Sequence, residues 1–328
     1  MHTEQGNSSS TLKPEPDQLV GRVIQSTGRR CRVQTPDKAI YECAIRGKFR
    51  IQGLKSTNPV AVGDQVRIQT PTTSGELCLV IEVLPRKNYI SRKAIAQQHK
   101  EHILCANIDQ ALLIFTIDQP VTSYGFADRF LLLTTTFDIP TKILVNKVDL
   151  LTTEASKDKL KEVQATYTQV GFEVVALSAN DPAYRELALS LLKDQISFVG
   201  GHSGVGKSSL INLVEGTLAL KTKEISDYSN KGKHTTTFAE MYPLEVGGFI
   251  IDSPGIKELG IANFSKEEAS HNFPEFFERL EDCKFHNCLH LNEPGCAVKA
   301  ALAEESIPKS RYQSYLSILE DIEGIHLK

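Results

Sequence analysis

Residues 201–208 read Gly-His-Ser-Gly-Val-Gly-Lys-Ser and satisfy every fixed position of the pattern G-x-x-x-x-G-K-[ST]. A strand-like run, Ile196–Val199, leads into the segment, and an apolar helix-like run, Ser209–Val214, leads out of it. A glycine loop between a buried strand and a helix turns a nest of backbone N–H groups toward phosphate oxygens. In this reading Gly201, His202, Ser203, Gly204, Val205 and Gly206 wrap the phosphates, and Ser209 closes the segment. Lys207 reaches the β- and γ-phosphates, and Ser208 ligates Mg²⁺. A chance glycine turn is the competing explanation, and the flanking strand and helix argue against it.

The chain upstream keeps the same alternation. Ala111–Asp118, Thr141–Val145 and Phe172–Leu177 read as strands, and Phe126–Phe137, Glu154–Val170 and Asp181–Leu192 as helices. Alternating strands and helices predict a parallel sheet covered on both faces, with ligands at the C-terminal strand ends.

At one such end stand Asn146, Lys147, Val148 and Asp149. A carboxylate at Asp149 accepts from both N1–H and the 2-amino group of guanine. Adenine offers neither donor and leaves the carboxylate unpaired, so the site selects GTP and GDP. Asn146 is expected to bridge the phosphate loop and the base edge, and Lys147 to cover the ring. Ser178-Ala179-Asn180 ends the next strand, where a backbone N–H meets guanine O6. The base-reading elements therefore precede the phosphate-reading ones. A circular shuffle of this kind leaves strand neighbours unchanged and moves the chain ends.

Asp252-Ser253-Pro254-Gly255 follows a further strand, Gly248–Ile251. Asp252 is placed on Mg²⁺ through water and the Gly255 amide on the γ-phosphate. Between loop and Asp252 lies Lys231-Gly232-Lys233-His234-Thr235-Thr236-Thr237. Thr236 is the expected Mg²⁺ ligand of a switch segment; three threonines in a row are otherwise a plain edge strand. Ile256 stands where many GTPases carry a water-orienting Gln, so the hydrolytic group must come from elsewhere. His234 is the local candidate for a base or water-positioner, with packing or a partner contact as its alternative. Ile256 also keeps open a different class, an RNA- or protein-binding module that holds GTP only as a structural ligand.

The flanks differ from this core. Residues 1–18 are polar, with Ser8-Ser9-Ser10, Pro14 and Pro16, and lack a secretory apolar segment; they read as a disordered tail of a cytoplasmic protein. No apolar run is long enough to span a bilayer, so no membrane partner is expected. Residues 19–88 read as five short strands with glycine turns, an OB-fold barrel by expectation, although an SH3-like barrel has a similar pattern. The net charge of the chain is −3, yet Leu19 to Asn88 carries twelve Lys and Arg against five acids. A basic barrel fits a phosphate backbone, or it is a solvated basic face. Residues 89–270 form the nucleotide-binding domain and 271–328 a last module. There Cys283, Cys288, His290 and Cys296 supply three thiols and an imidazole, a donor set for structural Zn²⁺ with no open position. His286 is a rival ligand, and buried free cysteines are the plain alternative.

The succession Asn-Lys-x-Asp, Ser-Ala, G-x-S-G-V-G-K-S-S, H-T-T-T, D-S-P-G and C-x4-C-x-H-x5-C resembles that of the bacterial small-ribosomal-subunit-dependent, circularly permuted GTPases. Arg46-Gly47-Lys48-Phe49-Arg50 and Val62-Gly63-Asp64-Gln65-Val66 in the barrel are similar to theirs as well, so the likeness spans the chain from about Val20. It implies a multidomain protein: an N-terminal all-β OB-fold barrel, a central circularly permuted α/β P-loop GTPase, and a C-terminal zinc-binding helical module. It further implies GTP hydrolysis in late maturation of the small ribosomal subunit near its decoding region. Binding to rRNA, release of assembly factors and turnover stimulated by the subunit belong to the same expectation, as does a monomer. His202 stands where Gln or Pro is usual and Lys233 where Arg is usual; Lys does not copy a bidentate Arg contact.

Overall fold

The computed structural model describes residues 17–45, 58–73, 75–93, 101–215, 239–252 and 264–326. Residues 46–50, 231–237 and 253–256, which carry the Arg46–Arg50 motif, His234, Thr236, Gly255 and Ile256, lie outside them.

The N-terminal strands β1 (Gln18–Ser26), β2 (Arg30–Gln34), β3 (Ile40–Ile45), β4 (Gln65–Gln69) and β5 (Cys78–Val83) close into a barrel. Its order is β1-β2-β3-β5-β4 and back to β1, with β3 and β5 parallel and the other pairs antiparallel. That closure and the parallel β3–β5 pair settle the barrel as OB-like. Alternate residues fill it: Val23, Cys31, Val33, Cys43, Val66, Ile68 and Val80 are buried together. Gly28, at φ +82°, makes the β1–β2 turn.

A two-stranded hairpin follows, β6 (Tyr89–Lys93) with β7 (Glu101–Ala106). It was not anticipated, because residues 94–100 contain neither glycine nor proline to announce a turn. The Val62-Gly63-Asp64 turn fastens it to the barrel. Ala106 N–H donates to the Val62 carbonyl at 2.8 Å, and a Cβ on Gly63 would stand 2.0 Å from the Ala106 oxygen. Asp64, wholly buried, accepts from the Arg86 guanidinium at 2.6 and 2.7 Å and from the Ala61 amide at 2.8 Å.

The central domain holds β8 (Gln110–Thr116), β9 (Thr141–Asn146), β10 (Glu173–Ala176), β11 (Ile196–Gly200), β12 (Glu240–Pro243) and β13 (Phe249–Asp252), ordered β10-β9-β8-β11-β13-β12. The first five are parallel. Strand β12 runs antiparallel to β13, a departure from the all-parallel expectation. Every residue of β8 and β11 is buried because helices cover both faces. Leu113, Phe115, Ile143 and Phe198 pack beneath α1 (Tyr124–Thr136) and α2 (Glu154–Gln169). Their strand neighbours Leu112, Ile114, Leu144 and Val199 pack beneath α3 (Arg185–Leu192) and α4 (Lys207–Glu215). The barrel meets this sheet where β1 pairs with β12 at Gln25 and Glu240, reinforced by their 2.8 Å side-chain hydrogen bond.

The last module comprises α5 (Lys266–His271), α6 (Pro274–Phe277), α7 (Ala297–Ala303) and α8 (Lys309–His326). Its core takes in Leu132 of α1. Arg311 of α8 is 1% exposed and is held by two carboxylates: Glu275 of α6 at 2.7 and 3.1 Å, and Asp128 of α1 at 2.6 Å. The Phe273 ring lies 4.4 Å from the guanidinium carbon. Burial pushes the Asp128 carboxyl up, and Arg311 opposes that shift. Removing one partner of such a buried pair costs about 3–5 kcal/mol, since the other charge is left uncompensated. The module is thus bolted to α1. Among the described residues no helix is long and apolar enough to cross a membrane.

Candidate functional site

The C-terminal ends of β8, β9, β11 and β13 converge on the glycine loop. Gly201, Gly204 and Gly206 take φ values of +155°, +83° and +98°, which an L side chain rarely adopts. At Gly206 space is as tight as conformation: a Cβ there would stand 2.3 Å from Asn146 Nδ2. Lys207 begins α4 and folds its ammonium back over the loop, donating to the Gly201 and His202 carbonyls at 2.9 and 3.1 Å. Ser208 and Ser209 sit half-buried in the first turn of α4, and Ser203 and Gly204 are exposed. Asp252 ends β13, where its Cα pairs with Val199 of β11, one strand from the loop. His202 lays its ring on Phe126 of α1, with centroids 3.5 Å apart. Burial, and then the Lys207 charge, lower its pKa, so the ring is held neutral.

Asn146 ends β9 and is 3% exposed. Its Nδ2 donates to the Val205 carbonyl at 2.8 Å, and its Oδ1 accepts from the Ala179 amide at 2.9 Å. One side chain thereby joins the glycine loop to the Ser178-Ala179 loop. Lys147 adopts a left-handed backbone at φ +66°, and its ammonium donates to the Gln119 carbonyl at 2.6 Å. Val148 and Asp149 follow in a 3₁₀ turn, with Asp149 exposed, while Ser178 and Ala179 are buried. The sequence reading missed the Gln119 contact, which joins residues 28 positions apart and leaves no local pattern. A left-handed lysine, a carboxylate and backbone amides on one side, with a nest of amides and an ammonium on the other, suit a nucleoside polyphosphate.

With the geometry in place, likeness to known proteins decides the family. The model described as RsgA GTPase matches residues 83–262, more than half of the chain, and that of the RsgA N-terminal domain matches residues 20–76. The chain belongs to the RsgA GTPase family. It is a GTP hydrolase of circularly permuted architecture. A relative from Christiangramia forsetii, named a small ribosomal subunit biogenesis GTPase RsgA, is 46% identical over 92% of this chain and 96% of its own length. One from Bacteroides fragilis with the same name is 46% identical over 93% and 97%. Among solved structures, YjeQ from Thermotoga maritima matches with a TM-score of 0.73 at 31% identity, covering 94% of this chain and 99% of that one. YloQ, titled a circularly permuted GTPase, matches with a TM-score of 0.70 at 26% identity, over 94% and 96%.

The chain has a second cluster in its last module. The ligand atoms of Cys283, Cys288, His290 and Cys296 lie within 4.8 Å of one another, and all four residues are buried. His290 Nδ1 stands 3.7 Å from Cys283 Sγ and 3.4 Å from Cys296 Sγ. Thiolates about 2.3 Å from a tetrahedral Zn²⁺ are themselves about 3.8 Å apart, so donor set and size fit that ion. The surroundings fit too. Ala297 N–H points at Cys283 Sγ and Lys299 N–H at Cys296 Sγ, at 3.4 and 3.5 Å. Tyr312 and Tyr315 hydroxyls donate to the His290 and Leu289 carbonyls at 2.7 and 2.8 Å, and Glu293 accepts from the Leu289 and Leu291 amides. These bonds hold His290 at φ +58° with Nδ1 inward. His286 is exposed and stands outside the cluster, which removes it as a rival ligand.

Burial drives the Cys288 thiol up to about 12, raises Cys296 and lowers His290, so metal competes with protons at those two thiols and hardly at the imidazole. Zinc affinity should therefore rise with pH, by up to about tenfold per pH unit for each thiol proton displaced. A chromophoric chelator competition at two pH values measures this; an affinity independent of pH contradicts it. Stripping the ion should also expose the module, seen as faster amide exchange in residues 283–296.

Proposed function

We propose that this GTP hydrolase serves late maturation of the small ribosomal subunit, binding rRNA through its barrel and releasing assembly factors. The reading rests on relatives that carry the small-subunit biogenesis name along nearly their whole length, and on the basic excess of residues 19–88. The three parts are assigned in turn: residues 19–88 to rRNA, 89–270 to GTP, and 271–328 to a zinc-stabilised module. A cytoplasmic monomer follows from the same reading.

In the nucleotide site, Asp149 accepts from guanine N1–H and the 2-amino group, and a backbone N–H of the Ser178-Ala179-Asn180 loop, which Asn146 fastens through Ala179, meets O6. Lys147 covers the ring with Val148 beside it, and Ser178 shapes the pocket wall. Gly201 to Gly206 surround the phosphates, and Lys207 meets the β- and γ-phosphate charge as it develops. Ser208 and Asp252, with Thr236, would hold Mg²⁺, which neutralises charge on the β- and γ-oxygens. Gly255 N–H approaches the γ-phosphate. With Ile256 unable to bond water, His234 is assigned the water-positioning role. An unaided rate is then slow, and a partner that completes the catalytic arrangement accelerates it.

Two measurements test these assignments. Substituting Asp149→Asn should lower GTP affinity by at least about 100-fold and create affinity for XTP, whose C2 carbonyl accepts where guanine donates; unchanged GTP binding contradicts the guanine reading. Turnover measured with and without purified small subunits should rise by roughly tenfold or more, in a salt-sensitive way. Equal turnover in both conditions contradicts the ribosomal role, and no turnover in either favours GTP as a structural ligand.

A further inference from the structure

The loop between β8 and α1, residues 117–123, touches both halves of the nucleotide site. Its Gln119 carbonyl receives the Lys147 ammonium at 2.6 Å. Its Pro120 ring reaches the phosphate loop, with Cδ 3.7 Å from the place a Cβ on Gly204 would occupy. Two buried threonines brace it. Thr116 N–H donates to Thr122 Oγ1 at 3.1 Å, Thr122 N–H to the Thr116 carbonyl at 2.9 Å, and Thr116 Oγ1 to the Pro120 carbonyl at 2.5 Å. Thr116 and Thr122 are 0% and 3% exposed. Thr116 also stands opposite Asn146 in the β8–β9 register, so the brace grows from the strand pair that carries the guanine-side residues.

We propose that this loop is a built part of the nucleotide site, and that Thr116 and Thr122 are positioning residues that hold Lys147 in place for the base. The inference rests on the reading of Lys147 as the residue that covers guanine. A lysine side chain has many rotamers, and fixing it on binding costs up to about 2 kcal/mol of entropy. An ammonium already anchored on the Gln119 carbonyl avoids much of that cost, which is the general benefit of preorganisation. The carbonyl offers a defined anchor only while residues 119–120 are held, and the threonine hydroxyls supply that hold. Neither threonine nor Lys147 meets the 2-amino group, so their effect falls alike on GDP and on IDP.

Release of a fluorescent GDP analogue from the full-length chain tests this. Lys147→Ala sets the scale. Thr116→Val and Thr122→Val, which keep shape and remove one hydroxyl each, should speed release by about 3- to 10-fold. Thr116→Ser, which retains the hydroxyl, should restore the parent rate, and the ratio of GDP to IDP affinity should stay constant throughout. If Thr116→Val fails to fold, Thr122→Val decides. Faster release in Lys147→Ala together with parent rates in both valine variants overturns the brace, as does failure of Thr116→Ser to restore. Parent release in Lys147→Ala overturns instead the base-covering reading beneath it.

Discussion

The Asn146 side chain is the joint on which the nucleotide site depends. Its amide donates to Val205, 59 residues ahead, and accepts from Ala179, 33 residues ahead. Both bonds are buried, so breaking either leaves an unsatisfied group at about 1–3 kcal/mol. Only a side chain with a donor and an acceptor on one planar group makes both at once. The glycine at 206 exists partly to let this amide approach, since any Cβ would collide with Nδ2. In a permuted chain this joint has particular weight. The guanine-side and phosphate-side elements arrive in reversed order, and Asn146 keeps them in one geometry whatever the connection.

The domains around the site are fastened by a few buried polar contacts. Asp64 and Arg86 fix the turn at which the hairpin meets the barrel. Arg311 ties α8 to Glu275 and to Asp128. Asp128 lies two residues along α1 from Phe126, whose ring carries His202 of the phosphate loop. One helix thus meets the glycine loop near its start and the cysteine module along its flank. Non-directional apolar packing gives the module its core, while the charged triad selects where on α1 it sits.

Much of this was legible in the sequence for physical reasons. The glycine loop was legible because its φ values admit almost no other residue. The buried strands Gln110–Thr116 and Ile196–Gly200 showed through short apolar stretches, Ala111–Phe115 and Phe198–Val199, since both their faces are covered. The cysteine cluster was legible because metal ligands must be close in space and, in small modules, are close in sequence. The β6–β7 hairpin stayed hidden for want of turn residues, and β12 because four residues are too few to show a period. The Arg311 triad and the Lys147–Gln119 bond escaped because partners 183 and 28 residues apart leave no spacing to read. His234, Thr236 and Gly255 stand as assignments from motif alone.

Amide hydrogen exchange on an Asn146→Ala chain bears most directly on the claim that one side chain joins the two halves of the site. The account predicts that exchange quickens at Ala179 and in residues 203–207 together, while the barrel strands keep their protection. Faster exchange at one of those loops with the other unchanged would contradict it.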